Sequence, residues 1–145
     1  MGASRPSSAA RGLGYAGLLP FVGGALWLLV GPAEQQALVA RALAAYAATI
    51  VSFLGGIHWG LAFAAPEGPS SARLLWGVVP SLLAWPALLL PAAVGLAWLA
   101  GTLVLCYAVD HRAYPRLGLA AWLPMRRTLS AVATLSCLGG LAALG

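Results

Sequence analysis

EQQALVARALAAYAATIVSFLGGIHWGLAF, residues 34–63, carries its full charges, Glu34 and Arg41, in its first turns and then runs to Phe63 with only His58 to interrupt the small and apolar residues. A helix crossing the hydrocarbon core of a bilayer needs about 20 largely apolar residues. This run is long enough, and its first turns reach into the interface around Glu34 and Arg41. Working outward, the same pattern recurs on both sides.

Across 145 residues, 61% are hydrophobic and 8% are charged. Soluble domains carry about 25% charged residues, and one domain of this length has no way to hide so much apolar surface from water. The class is an all-α, polytopic membrane helix bundle. Residues 1–11 read as a disordered cytoplasmic tail, and 12–145 as one transmembrane domain. Helices are expected near 13–30, 35–64, 73–90, 92–109 and 127–144. A cleaved signal peptide is the rival for the first, since Gly31 and Ala33 are small, but its apolar run exceeds the usual h-region of about 7–15 residues. Pro80 and Pro86 fall inside the third helix, where neighbouring helices can satisfy the freed carbonyls. Residues 110–127 read as a loop or interfacial segment.

Against three acidic residues and with no lysine, eight arginines give a net charge of +5. They form no basic stripe on a soluble face, so no nucleic-acid partner is expected. They do set a topology. With the N-terminus inside, Arg5, Arg11, Arg73, Arg112, Arg116, Arg126 and Arg127 all face the cytoplasm, and Arg41 alone lies at the outer end. The positive-inside rule therefore predicts five spans, N-inside and C-outside.

His58 raises the question of chemistry. Ala44, Ala47, Val51, Gly55 and Ala62 share its helical face, and all are small. Small residues allow close backbone approach, and Gly56-x-x-x-Gly60 adds a second such pair. His58 is thus expected to point into the bundle. Asp110, Arg73, Arg126 and Arg127 fall at the same depth. The plain reading is that His58 hydrogen-bonds to Asp110 or a carbonyl and locks two helices. The functional reading is an ionisable cluster within a membrane.

Other chemistries have less support. A b-type haem needs two axial ligands, and His111, the second histidine, lies beyond the apolar part of its helix. Metal binding by His58, Asp110 and Glu67 is disfavoured because Glu67 sits in a flexible connector. Cys106 and Cys137 lack ligand spacing and read as small buried hydrophobes. Ser52 is on a different helix face from His58. No catalytic residue, metal or cofactor is expected.

Three stretches, LGYAGLLPF at 13–21, FLGGIHWGLAF at 53–63 and VVPSLLAW at 78–85, together with a tryptophan followed by RRTLS, carry a resemblance. The chain resembles a family of small integral membrane proteins of unknown function, proteobacterial with mitochondrial relatives in eukaryotes. The resemblance implies Pro20, Phe21, His58, Trp59, Gly60, Pro80, Trp122 and the arginines before the last helix as signature positions. It implies a bacterial inner membrane and no particular activity.

The expected function is non-enzymatic: helix-helix binding to a membrane complex or to a second copy of the chain, within the lipid bilayer. The alternative is a small transporter, or a proton-, lipid- or quinone-handling protein, using a His58–Asp110–Arg cluster. An enzyme acting on lipid or quinone headgroups stands third.

Overall fold

A computed structural model describes residues 4–145, and among these all regular structure is helical. The α-helices are α1 (Ser8–Ala16), α2 (Leu19–Val30), α3 (Gln36–Phe63), α4 (Ser71–Ala87), α5 (Ala92–Arg116) and α6 (Leu123–Ala143). Single 3-10 turns at Ala33–Gln35 and Ala120–Trp122 precede α3 and α6. The chain is a membrane helix bundle. By length and composition, Ser8–Val30, Ala33–Phe63 and Ala92–Arg116 are each able to cross a membrane. α4, at 17 residues, is about 26 Å long by helical rise. α6 has 21 residues, with two arginines in its first turns.

α3 packs on α2, α4 and α5, and α6 packs on α2 and α5. The core runs along the middle of the bundle through Phe21, Leu28, Val51, Leu99, Leu103 and Cys137. Equally large apolar side chains, such as Phe53, Leu82, Trp85 and Leu135, point outward. Helices that are apolar all round suit a bundle whose surroundings are lipid. The His58 face of α3 is buried along Ala44, Ala47, Val51, Gly55 and Ala62.

Four boundaries differ from the sequence-based expectation by a turn or more, each for a local reason. Of the expected tail, residues 1–3 lie outside the described residues, whereas Ser8–Arg11 already form the first turn of α1. The Ser7 hydroxyl accepts the Ala10 N–H at 3.1 Å and caps that helix. The helix expected near 13–30 is then broken at Gly17–Leu18. Pro20 has no N–H to give and its ring crowds the preceding turn. At this break the Gly17 carbonyl accepts the Tyr46 hydroxyl at 2.7 Å. Phe21 follows, fully buried, with its ring edge-on to Tyr46 at 5.1 Å. Pro20 and Phe21 thus shape this break.

The helix expected to end near 109 continues to Arg116, because Asp110 and Tyr114, one turn apart, are both buried against the bundle. The last helix starts at Leu123, with Pro124 in its first turn, where a missing N–H costs nothing. Arg126 therefore sits within α6.

The glycine reading also needs correction. Gly56 and Gly60 face outward, and a Cβ on either would meet nothing within 4 Å. Gly55 is the close-approach residue. A Cβ there would overlap the Gly77 carbonyl oxygen, and one on Gly77 would lie 3.0 Å from the Gly55 oxygen. Pro80, also buried, packs one turn further along α4 beside Gly55. Trp59 lies over the same crossing and donates its indole N–H to the Leu74 carbonyl at 2.8 Å.

Candidate functional site

His58 lies near the C-terminal end of α3, Asp110 near that of α5, and Arg126 near the start of α6. Since α6 returns antiparallel to α5, all three fall at one end of the bundle. His58 is 3% exposed, Asp110 2% and Arg126 6%. His58 Nε2 is 2.8 Å from Asp110 Oδ1. Arg126 donates from Nε and Nη2 to Asp110 Oδ2, at 3.1 and 2.7 Å. One carboxylate thus ties three helices, each oxygen holding a different partner. A buried charge is tolerated when it is paired and hydrogen-bonded, and Asp110 meets both conditions. The Trp76 ring stands perpendicular to the imidazole at 6.4 Å, and Tyr114 lies at the same centroid distance on another side.

Arg73 and Arg127 do not join this group. Arg127, next to Arg126, is turned to the exposed face of α6. Arg73 lies with Glu67 beside the 64–70 connector. His111 is exposed and stacks loosely on Tyr107 at 5.8 Å. No group of three metal-ligating side chains occurs among the described residues.

Sequence reasoning missed what lies beside the triad. A cavity of about 530 Å³ opens between α1, α2, α3, α5 and α6. Ala10 and Leu13 form its α1 wall, Ile50 and Ile57 its α3 wall, and Phe21 and Leu103 line it deeper in. Its lining is almost wholly apolar. Arg126, Tyr114 and the Trp122 indole are the exceptions at the triad end, and Ser130 follows two turns along α6 from Trp122. Trp122 also reaches the Ser4 hydroxyl at 3.4 Å, fastening the N-terminal segment across that end.

Ser130 is unusual. Ser52, Thr102 and Thr128 all donate to the carbonyl four residues back on their own helices. Ser130, 6% exposed, has a buried hydroxyl without a hydrogen-bond partner, as does Thr134 one turn further on. Ser130 lines the cavity. An unsatisfied buried hydroxyl in a helix that offers it a carbonyl calls for an explanation.

The model of a family described as Protein of unknown function (DUF3429) matches residues 6–142. The chain belongs to that family. Transmembrane protein 69 of Xenopus tropicalis is 47% identical over 79 residues, covering 53% of this chain and 31% of the relative. The chain thus matches about a third of that relative's length. No solved structure matches. The matched span of the family includes Pro20, Phe21, His58, Trp59, Pro80, Asp110, Trp122 and Arg126.

Proposed function

We propose that this protein is a non-enzymatic membrane protein that binds a small amphiphile within the bilayer, its chain in the apolar cavity and its head at the Arg126 end. The observation that carries this reading is the cavity itself. It is a 530 Å³ apolar space with a few polar groups, most of them at the Arg126 end, the usual form of a small-molecule site. The His58–Asp110–Arg126 triad holds that end together and keeps the guanidinium in place. This favours the lipid- or quinone-handling alternative over partner binding as the primary role. Our reading includes a bacterial inner membrane, five crossings and the arginine-rich end in the cytoplasm, and the arginine distribution supports it.

The test is purification in mild detergent, followed by extraction and mass spectrometry of bound small molecules. A near-stoichiometric amphiphile is expected from the unaltered protein and its loss from Ala10→Trp. Ala10 lines the cavity from α1, a helix without buried residues, so the indole enters the space from its outer wall and replaces no packed core side chain. Equal amounts from both proteins would defeat the reading.

A second reading, docking of another membrane helix, has one observation in its favour: the open Gly56 and Gly60 face of α3. Close helix packing in membranes uses such positions. Gly56→Leu should then abolish co-purification of a membrane protein while leaving the fold intact.

A further inference from the structure

A second, smaller cavity of about 360 Å³ lies where α3 ends and α4 begins. It shares only Leu61 with the larger one. Its walls come from the 64–70 connector, the first turn of α4 and Leu117 after the end of α5. The connector is braced. Pro66 has a fixed φ, and the Gly68 N–H donates to the Ala65 carbonyl at 3.0 Å. Gly68 then turns the chain at φ +86°, a conformation glycine adopts without strain. This turn presents Glu67 to the cavity, and the first turn of α4 presents Arg73. Two opposite charges thus line one small space, and they do not pair with each other. Among the described residues the ion pairs are His58–Asp110 and Arg126–Asp110. The rest of the lining is apolar or small apart from Ser70, and it contains no aromatic ring.

We infer that this smaller cavity seats the phosphoethanolamine head of a phospholipid, with its phosphate on Arg73 and its ammonium on Glu67. Guanidinium and phosphate form charge-assisted hydrogen bonds. A primary ammonium brings three N–H donors to the carboxylate. Because the head is a zwitterion, each side-chain charge meets its opposite and the site stays balanced. A purely anionic head would suit Arg73 and be repelled by Glu67. A choline head has no N–H to give, and quaternary ammonium groups are recognised over aromatic faces, which this cavity lacks. The position agrees with the chemistry. Glu67 follows the end of the apolar run of α3 and Arg73 opens α4, so both lie at the level of lipid headgroups. The volume falls within the range of about 300–1,000 Å³ usual for ligand sites.

The test compares heads on one pair of acyl chains. The purified full chain in detergent is titrated with phosphatidylethanolamine, phosphatidylcholine or phosphatidylglycerol, and bound lipid is counted by native mass spectrometry. The ethanolamine lipid is expected to bind about tenfold more tightly than the choline lipid, the effect of one charge-assisted hydrogen bond. Glu67→Gln is expected to erase that preference. Arg73→Gln is expected to weaken the ethanolamine lipid by a similar factor. Arg127→Gln, on the exposed face of α6, is expected to change neither. Equal affinities for the ethanolamine and choline lipids, or a preference that survives Glu67→Gln, would overturn the assignment. Tightest binding of the glycerol lipid would overturn it as well, in favour of an anionic head on Arg73 alone. An effect of Arg127→Gln as large as that of Arg73→Gln would overturn the location. None of these outcomes depends on what occupies the larger cavity.

Discussion

Gly55 and Gly77 touch backbone to backbone where α3 crosses α4, so that neither has room for a side chain. The crossing sits one turn from His58 on α3 and fixes how far that helix can move relative to α4. Gly55→Ala is expected to destabilise the bundle by about 1–3 kcal/mol, the usual effect of overpacking. Gly56→Ala, with open space around it, should be close to neutral. Thermal unfolding of the two variants in detergent checks the contrast, and equal midpoints would contradict it.

Asp110 is the residue whose loss should matter most. Asp110→Asn leaves the Arg126 guanidinium buried without a counter-charge, an effect of about 3–5 kcal/mol. Arg126→Gln together with Asp110→Asn should recover part of the loss, since both charges are then gone. Stability of the single and double variants, compared in a double-mutant cycle, measures the coupling.

His58 contributes through a single contact at 2.8 Å. His58→Gln keeps a donor near Asp110 and is expected to fold with little loss. His58→Leu strips that donor and should cost about 1–3 kcal/mol, the penalty for an unpaired buried acceptor. Indistinguishable stability for the two variants would show that the imidazole hydrogen bond is not what matters at this position.

Tyr46 joins α3 to the break between α1 and α2 through its hydroxyl on the Gly17 carbonyl, at 2.7 Å. Tyr46→Phe should cost about 1 kcal/mol and loosen α1 more than the rest. Limited proteolysis near Gly17, faster in the variant, is the measurement.

The orientation can be read with membrane-impermeant thiol reagents, because Cys106 and Cys137 are both buried. Single cysteines at Glu34 and Glu67 lie at opposite ends of α3. On the arginine distribution, Glu34→Cys should label from outside intact cells and Glu67→Cys should not.

The His58–Asp110 contact was legible in the sequence because both residues fall at the same depth and His58 lies on a face of small residues. Depth alone does not choose among neighbours of equal depth. Arg73, Arg126 and Arg127 were equivalent candidates until the start of α6 at Leu123 set the rotation that turns Arg126 inward and Arg127 outward. The glycine motif misled for a related reason. Gly56 and Gly60 match a packing spacing, but Gly55, three residues from His58, shares the buried face and theirs is open. The extension of α5 went unread because DHRAYPR is polar, and burial of Asp110 and Tyr114 overrides that local signal. The cavity left no mark in the sequence at all, since its walls come from five helices and only their packing creates the gap between them.

The outer wall of that gap is α1, a nine-residue helix without one buried side chain, set off from α2 by the break at Gly17 and Leu18. Segments so lightly packed open at far lower free energy than the core. On the reading proposed above, access to the cavity is therefore sideways, from the membrane's own interior, and exchange follows the swing of α1. Occupancy then depends on the mole fraction of the amphiphile among the surrounding lipids. Its dissolved concentration in water sets only how fast the membrane itself is loaded.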